Sequence, residues 1–341
     1  MKAMVAKKSY FSSILEQREV KMPEIKDYEV LIKVCAVGVN RGDIIDVATS
    51  DDGFCPGLEC SGIIEAVGRN ANCWKVGERV IAISSGDVCA ILEGGGYAER
   101  VAVPANLLLP LSGDIDLEDA AGLPYASCSI WLALFRTLDP KTIKDKKILI
   151  HEGVSGIGAL AIQYAKYMGS VVIASTGSSD QFSICQQYGA DFCVDHTSED
   201  FVYAVSEKAG YGGVDIVLDY QASNLKRNIQ CCRIRGKVVI VDLRGMEHAS
   251  IELTALQRKH AEIKVVDLRS RNFSYKASVI AELRTHLWPA VLQQKVVPTV
   301  GHRFPVTEVE KALNLLQKND SIGKITLYMN FEETIGHLKT D

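Results

Sequence analysis

The sequence predicts an α/β fold in two parts, a small β-barrel followed by a doubly wound parallel sheet. Three observations carry this expectation. The first 124 residues are rich in short strands bounded by glycines. From Leu117 the character changes to strands alternating with helices at a regular interval, the pattern of a parallel sheet covered on both faces. Between Lys146 and Gly169 a short apolar run, a glycine turn and an apolar-periodic segment follow one another directly.

In chain order, Val30–Val39 alternates in part and reads as a strand, and the glycine-bounded runs Gly62–Gly68 and Gly77–Ile83 read as two more. Glu59–Gly62 and Trp74–Val80 have the look of barrel corners. Gly94-Gly95-Gly96 is a turn into a strand at Arg100–Val103, and Gly86–Glu93 reads as an insertion without an assigned purpose. Glu118–Ala121 and Ser127–Leu138 are expected to be helical, joined across Pro124. Strands are then expected at Ile148–Ile150, Val171–Ser175, Asp191–Val194, Val214–Leu218, Lys237–Val241 and Glu262–Leu268, with helices between them. A helix around Ser278–Leu292, a strand at Pro298–Phe304, a helix over Glu308–Gln317 and a closing strand at Ile322–Met329 complete the chain, before a polar tail from Phe331 to Asp341.

The stretch from Lys146 to Gly169 organises the rest. Ile148-Leu149-Ile150 suits a buried parallel strand. Gly153, Gly156 and Gly158 follow in the spacing G-x-x-G-x-G, and Leu160, Ala161, Tyr164, Ala165 and Met168 recur at helical spacing. Strand, glycine turn and helix in this order make a dinucleotide-binding turn. Glycines let the backbone approach a pyrophosphate, whose charge meets free N–H groups at the helix start.

Composition excludes other classes of function. The 38 basic and 42 acidic residues give a net charge of −4 with no basic block, which argues against nucleic acid or an anionic membrane surface as partner. No apolar run is long enough for a membrane span, and the N-terminus lacks the apolar core of a signal peptide, so a cytoplasmic protein is expected. The ten cysteines are scattered, without C-x-x-C or zinc-type C…H spacing, and read as reduced, structural residues.

Several motifs occur together along nearly the whole chain: VGVNRGD at Val37–Asp43, PGLECSGIIEAVG at Pro56–Gly68, WKVGERV at Trp74–Val80, GGGYAERVAVP at Gly94–Pro104, AAGLP at Ala120–Pro124, LIHEGVSGIG at Leu149–Gly158 and IGKITL at Ile322–Leu327. In these the chain resembles the medium-chain dehydrogenase/reductase superfamily, and within it the zeta-crystallin-like quinone oxidoreductases, a plant and animal branch above all. The resemblance implies a GroES-like β-barrel catalytic domain at 1–124, a Rossmann nucleotide-binding domain at 125–269, and a return of the chain to the catalytic domain at 270–341.

The resemblance also implies chemistry. Zinc-using relatives place a cysteine where this chain has Asn40 and a histidine where it has Leu58, before the retained Glu59, and asparagine and leucine cannot serve as those ligands. No metal is therefore expected. Zinc-free members reduce quinones or α,β-unsaturated carbonyls with hydride from NADPH, whose chemistry the protein orients. On that model the catalytic residues are Asn40, Asp43 and Tyr125, with Asn40 also near the nicotinamide and Tyr125 standing where relatives carry a glutamate. Cofactor-binding residues would be Ser129, Gly153, Ser155, Gly156, Ile157, Gly158, Ser175, Thr176, Ser178, Gln181, His196 and Lys324. Asn40 and Asp43 are open to a second reading, as residues that support their own turn, and His196 as a solvated loop residue.

Departures from the family pattern leave choices open. Gln181 replaces the usual lysine and His196 the usual tyrosine at the 2′-phosphate pocket, and Asp180 brings a negative charge, so NADH stands beside NADPH as a possible cofactor. Ile45–Cys55 is shortened and lacks the tyrosine found at the substrate mouth; Asp219–Ala222 and Asp242–Gly245 differ from their family counterparts. Tyr125 and Arg244 would then define a new substrate pocket, with neutral drift the alternative. A non-catalytic nucleotide-binding or structural protein on the same scaffold is the competing function. A small-molecule substrate is the expected partner, and the apolar edge at Glu262–Leu268 points to a homodimer.

Overall fold

The computed structural model describes residues 1–8, 13–84, 95–138, 140–197, 200–220, 225–241, 248–318 and 321–331. The insertion at Gly86–Glu93, Gln221-Ala222, Arg244 with its neighbours and most of the polar tail lie outside the described residues. The chain divides into two compact units. One comprises the described residues of Met1–Tyr125, Arg269–Ala281 and Val300–Asp341, the other Ala126–Leu268 and Glu282–Thr299. The sequence-based limits gave everything after 270 to the first unit, whereas Glu282–Thr299 clusters with the second. Polar bonds hold it there: Glu282 accepts from Trp131 Nε1 (2.6 Å) and the Arg136 guanidinium, and the Gln163 amide bonds both backbone groups of Val297.

The first unit contains the antiparallel pair β1 (Lys2–Lys8) and β2 (Ser13–Glu19), and the strands β3 (Glu29–Gly38), β4 (Glu59–Val67), β5 (Arg79–Ile83), β6 (Arg100–Pro104) and β7 (Leu108–Pro110). The second unit supplies β8 (Lys147–Ile150), β9 (Val171–Thr176), β10 (Phe192–Asp195), β11 (Val214–Asp219), β12 (Cys232–Ile240) and β13 (Glu262–Val265); β14 (Val300–Pro305) and β15 (Lys324–Tyr328) belong again to the first. The first unit's large sheet runs β14-β15-β3-β4-β5-β7, with β6 also paired to β3. The last strand among the described residues thus lies antiparallel beside one of the earliest, Thr326 opposite Gly38. That register places the start of β15 against the end of β3. Half-buried strands are expected to alternate along their length, and β3 does so over Val30, Ile32, Val34 and Ala36, whose side chains are buried while Lys33 is exposed.

The second unit's sheet is parallel throughout, in the order β10-β9-β8-β11-β12-β13. This is the doubly wound order, with its reversal between β8 and β11. Strands covered on both faces should be apolar without alternation, and Ile148, Leu149, Ile150, Val172, Ile173, Ala174, Ile216, Val217 and Leu218 are all fully buried. One face packs on Phe201, Val205, Leu225 and Ile229.

Among the elements that differ from the sequence expectation, three stand out. The edge strand β13 ends at Val265 rather than Leu268; the Val266 N–H makes one more bond, to the Ile240 carbonyl. The helix expected over Ser278–Leu292 is two helices, Phe273–His286 and Trp288–Leu292. Pro289 sits in the first turn of the second, where its missing N–H costs nothing, whereas inside one continuous helix it would clash with a preceding carbonyl. The segment after β3 forms a helix, Arg41–Thr49, that local sequence did not announce.

Candidate functional site

Two groups of the implied residues are organised within separate units. In the first unit β3 ends at Gly38, and Asn40 caps the helix Arg41–Thr49 in extended conformation. Its side chain is aimed away from the helix. Nδ2 donates to Glu59 Oε1 at 2.8 Å and to the Gly38 carbonyl at 3.2 Å, while Oδ1 accepts from Lys324 Nζ at 2.6 Å. Lys324 Nζ also lies 2.8 Å from Glu59 Oε1, and the Tyr125 backbone N–H donates to Glu59 Oε2 at 2.7 Å. Lys324 is 7% exposed and Glu59 1%. A buried carboxylate is tolerable only when paired and hydrogen-bonded, and here both oxygens are served. Gly38 is needed for this approach, because a Cβ there would fall 2.3 Å from Glu59 Oε1 and 2.6 Å from the Ala121 carbonyl.

Asp43 lies one turn into the same helix and is fully buried. Its Oδ2 accepts the Asn40 backbone N–H at 2.7 Å and the Tyr97 hydroxyl at 3.0 Å, while Oδ1 has no hydrogen-bond partner among the described residues. Burial outweighs these bonds and pushes the Asp43 carboxyl up to about 7. Burial raises the Tyr97 phenol too, so it remains a donor. Asp43 thus supports Asn40 from a helix rather than from a loop.

In the second unit the glycine turn joins β8 to the helix Gly156–Tyr167. Ser155 caps that helix, its Oγ accepting from the Gly158 N–H at 3.1 Å, and the first-turn N–H groups at Gly156 and Ile157 have no intrahelical acceptor. Gly153 donates its N–H to the Ser175 carbonyl at 2.9 Å. A Cβ on Gly158 would lie 2.1 Å from the Glu152 carbonyl oxygen, so this position is closed to any side chain. The cradle therefore fits a pyrophosphate: exposed N–H donors, a capped helix start and a backbone stripped of side chains where close approach is required.

The end of β9 is less open than the sequence suggested. Ser175 is fully buried and its hydroxyl meets His151 Nδ1 at 2.8 Å; Thr176 is buried too and donates to the Ser178 carbonyl. Both hydroxyls, expected to face a ligand, are turned inward. Ser178, half-buried, caps the short turn Ser179–Gln181 through the Asp180 N–H. Gln181 and His196 are half-buried, and His196 Nδ1 has no partner among the described residues. No cationic side chain lies between Ser175 and Gln181. Ser129, 5% exposed, sits in the helix Pro124–Ile130.

Sequence reasoning overlooked a second polar chain here. His151 Nε2 meets Asn228 Oδ1 at 2.9 Å, and Asn228 Nδ2 donates to Asp219 Oδ2 at 2.8 Å. This chain ties together the C-terminal ends of β8, β9 and β11, the edge of the sheet where α/β ligands bind. Burial depresses the His151 imidazole, which stays neutral and accepts or donates at each nitrogen. A histidine directly after the apolar run of β8 was the signal that could have found it. Glu59, in an otherwise apolar stretch, was the corresponding signal in the first unit. Among the described residues no group of three or more His, Cys, Asp or Glu side chains is placed to hold a metal ion, and no helix is long and apolar enough to cross a membrane.

Comparison with known proteins gives the same picture from outside. A family model described as "Alcohol dehydrogenase GroES-like domain" matches residues 26–113, and one described as "Zinc-binding dehydrogenase" matches 156–283. The chain is 28% identical over 322 residues to a quinone oxidoreductase of Sus scrofa, covering 92% of this chain and 93% of that one. A human quinone oxidoreductase is 26% identical, with 91% and 92% covered. Among solved structures, the Escherichia coli quinone oxidoreductase complexed with NADPH superposes with a TM-score of 0.80 at 20% identity, covering 96% of this chain and 99% of that one. A 2-haloacrylate reductase superposes with a TM-score of 0.78 at 24% identity, covering 96% and 99%.

Proposed function

Because the chain is an oxidoreductase of the medium-chain dehydrogenase/reductase superfamily, among its zeta-crystallin-like quinone oxidoreductases, we propose that it reduces quinones or α,β-unsaturated carbonyls with NADPH and without zinc. The observation that carries the zinc-free reading is the buried Lys324–Glu59–Asn40 cluster. An ammonium group already neutralises the retained carboxylate at 2.8 Å, and the neighbouring Asn40 and Leu58 offer neither thiolate nor imidazole.

The cofactor, when bound, supplies the hydride. The glycine turn contributes the N–H groups of Gly156 and Ile157 to its pyrophosphate, with Ser155 fixing the helix start. Asn40 is held rigidly by Glu59, Lys324 and Gly38, which suits it to orient a bound ring rather than to transfer a proton. Asp43 fixes the Asn40 backbone and is the buried acid next to it. Quinone reduction needs no protein acid, whereas an enone product takes a proton from Tyr125 or water.

The test is NADPH oxidation by the purified chain with a panel of quinones and enones, before and after dialysis against a chelator. Steady oxidation that survives chelation supports the reading, and silence with every acceptor refutes it. Thermal unfolding with each cofactor runs beside it: ligand at about 100 times its dissociation constant stabilises by about 2.7 kcal/mol. A shift without turnover would favour a non-catalytic nucleotide-binding protein. NADH is the second reading for the cofactor, favoured by Asp180 and the neutral, inward-turned end of β9. The solvent-facing edge of β13 suits a homodimer, which light scattering would detect.

A further inference from the structure

Two of the scattered cysteines meet beside the glycine turn. Cys185 belongs to the helix Phe182–Gln187 and Cys193 to β10, and both are free thiols. Their side chains are hydrogen-bonded to one another, and Cys193 Sγ lies 3.7 Å from the Phe182 carbonyl oxygen. Cys185 is fully buried and Cys193 half-buried, so Cys193 is the more accessible residue of the pair. The buried sulfur also touches the turn. A Cβ built on Gly153 would fall 2.8 Å from Cys185 Sγ, 3.0 Å from Ala174 Cβ and 3.3 Å from Ile162 Cδ1, so Cys185 Sγ forms part of the floor under the first glycine.

We propose that Cys193 and Cys185 form an oxidative modification site, at which a peroxide converts the thiol pair to a disulfide and loosens the glycine turn above it. The Cys193 thiolate attacks one peroxide oxygen, breaking the O–O bond and giving a sulfenic acid and hydroxide. The Cys185 sulfur then attacks the sulfenic sulfur, forming the S–S bond as water leaves. The two thiols give up two protons and two electrons in all, and one peroxide is reduced to two waters. A hydrogen-bonding neighbour, an accessible attacking sulfur and a resolving sulfur within reach are the features that make a cysteine pair reactive in this way. Cys193 is the more exposed residue of the pair and Cys185 is fully buried, which assigns the attacking and resolving roles. A disulfide brings its sulfurs to about 2.05 Å, far inside hydrogen-bonding separation. Closure therefore draws Cys185 Sγ toward β10 and removes a packing partner from beneath Gly153.

The test uses the full chain treated with one equivalent of hydrogen peroxide and digested without reductant. The result expected is a peptide pair linked through Cys185 and Cys193, with two hydrogens lost and recovered by dithiothreitol. Cys193 should react about tenfold faster than the exposed lone thiol of Cys73. In Cys185→Ser the linked pair should vanish and Cys193 be trapped as a sulfenic acid by dimedone. Hydrogen exchange of the wild-type peptide over residues 151–160 should speed up severalfold on oxidation and return on reduction. Oxidation of Cys73 without a Cys185–Cys193 link would overturn the site, and unchanged exchange over the turn would overturn its coupling to the glycine segment. Neither readout depends on cofactor or substrate.

Discussion

The Lys324–Glu59 pair offers the sharpest test of how the first unit is held together. Replacing Lys324 by methionine keeps most of the apolar stem of the side chain and removes the ammonium group, with both its charge and its donors. Glu59, 1% exposed, would keep its bonds from Asn40 Nδ2 and the Tyr125 N–H but lose the cation at 2.8 Å, and Asn40 Oδ1 would lose its donor at 2.6 Å. Breaking a buried pair from one side costs about 3–5 kcal/mol, because the remaining charge is uncompensated. For a unit of this size each kcal/mol lowers the melting temperature by roughly 2–4 °C, so a fall of about 6–20 °C is expected by calorimetry. The second arm is the double variant Lys324→Met with Glu59→Gln. Glutamine carries no charge, and its single oxygen can accept from Asn40 Nδ2 or from the Tyr125 N–H but not from both, so relief of the unpaired charge should leave the double variant more stable than Lys324→Met alone by about 1 kcal/mol. A single variant melting within a degree or so of wild type, or a double variant no better than the single, would refute the account of Lys324 as the counterion of a buried carboxylate.

Asp43 should impose a pH dependence on stability. Its folded pKa of about 7 lies above the roughly 3.9 of an unfolded chain, so its contribution is present at pH 4 and lost as pH rises through 7. Urea titrations should show wild type losing on the order of 4 kcal/mol relative to Asp43→Asn between pH 4 and pH 8, and parallel profiles would contradict it. Gly158→Ala puts a Cβ 2.1 Å from the Glu152 carbonyl, so the turn must shift, and the NADPH-induced thermal shift expected of wild type should disappear. Ser155→Ala removes the helix cap at a cost of about 1 kcal/mol, read from denaturant midpoints, with a larger proportional loss in NADPH affinity than in stability.

The parallel sheet was legible because buried strands announce themselves without alternation, as the apolar runs Ile148–Ile150 in β8, Val171–Ala174 in β9 and Ile216–Leu218 in β11 do. The glycine turn was legible from order alone: apolar run, glycines, helical period. The polar clusters were not. Asn40 meets Lys324 across 284 positions, and nothing local to either residue specifies that distance. Asn40 could be singled out only through the motif around it, and its capping of a helix was hidden because Arg41–Thr49 has little amphipathic pattern. Ser175 and Thr176 were placed correctly at the end of a strand, but the direction of a hydroxyl is set by the partner it finds, here His151 and the Ser178 carbonyl. Pro289 shows the opposite case, a break that local chemistry dictates and that the apolar spacing around it concealed.

That the closing strand β15 carries the counterion has a consequence for synthesis. On a ribosome adding about 5–20 residues per second, Lys324 emerges about a quarter of a minute to a minute after Asn40. Throughout that interval the nascent N-terminal segment has a carboxylate at Glu59 for which no cation yet exists, so β3 and β4 cannot close around it without penalty. The second unit has its strands from β8 to β13 available earlier and without such a debt. Assembly is thus expected to run from the middle of the chain outward, and any transcript ending before codon 324 yields a product that cannot complete the domain with which it began.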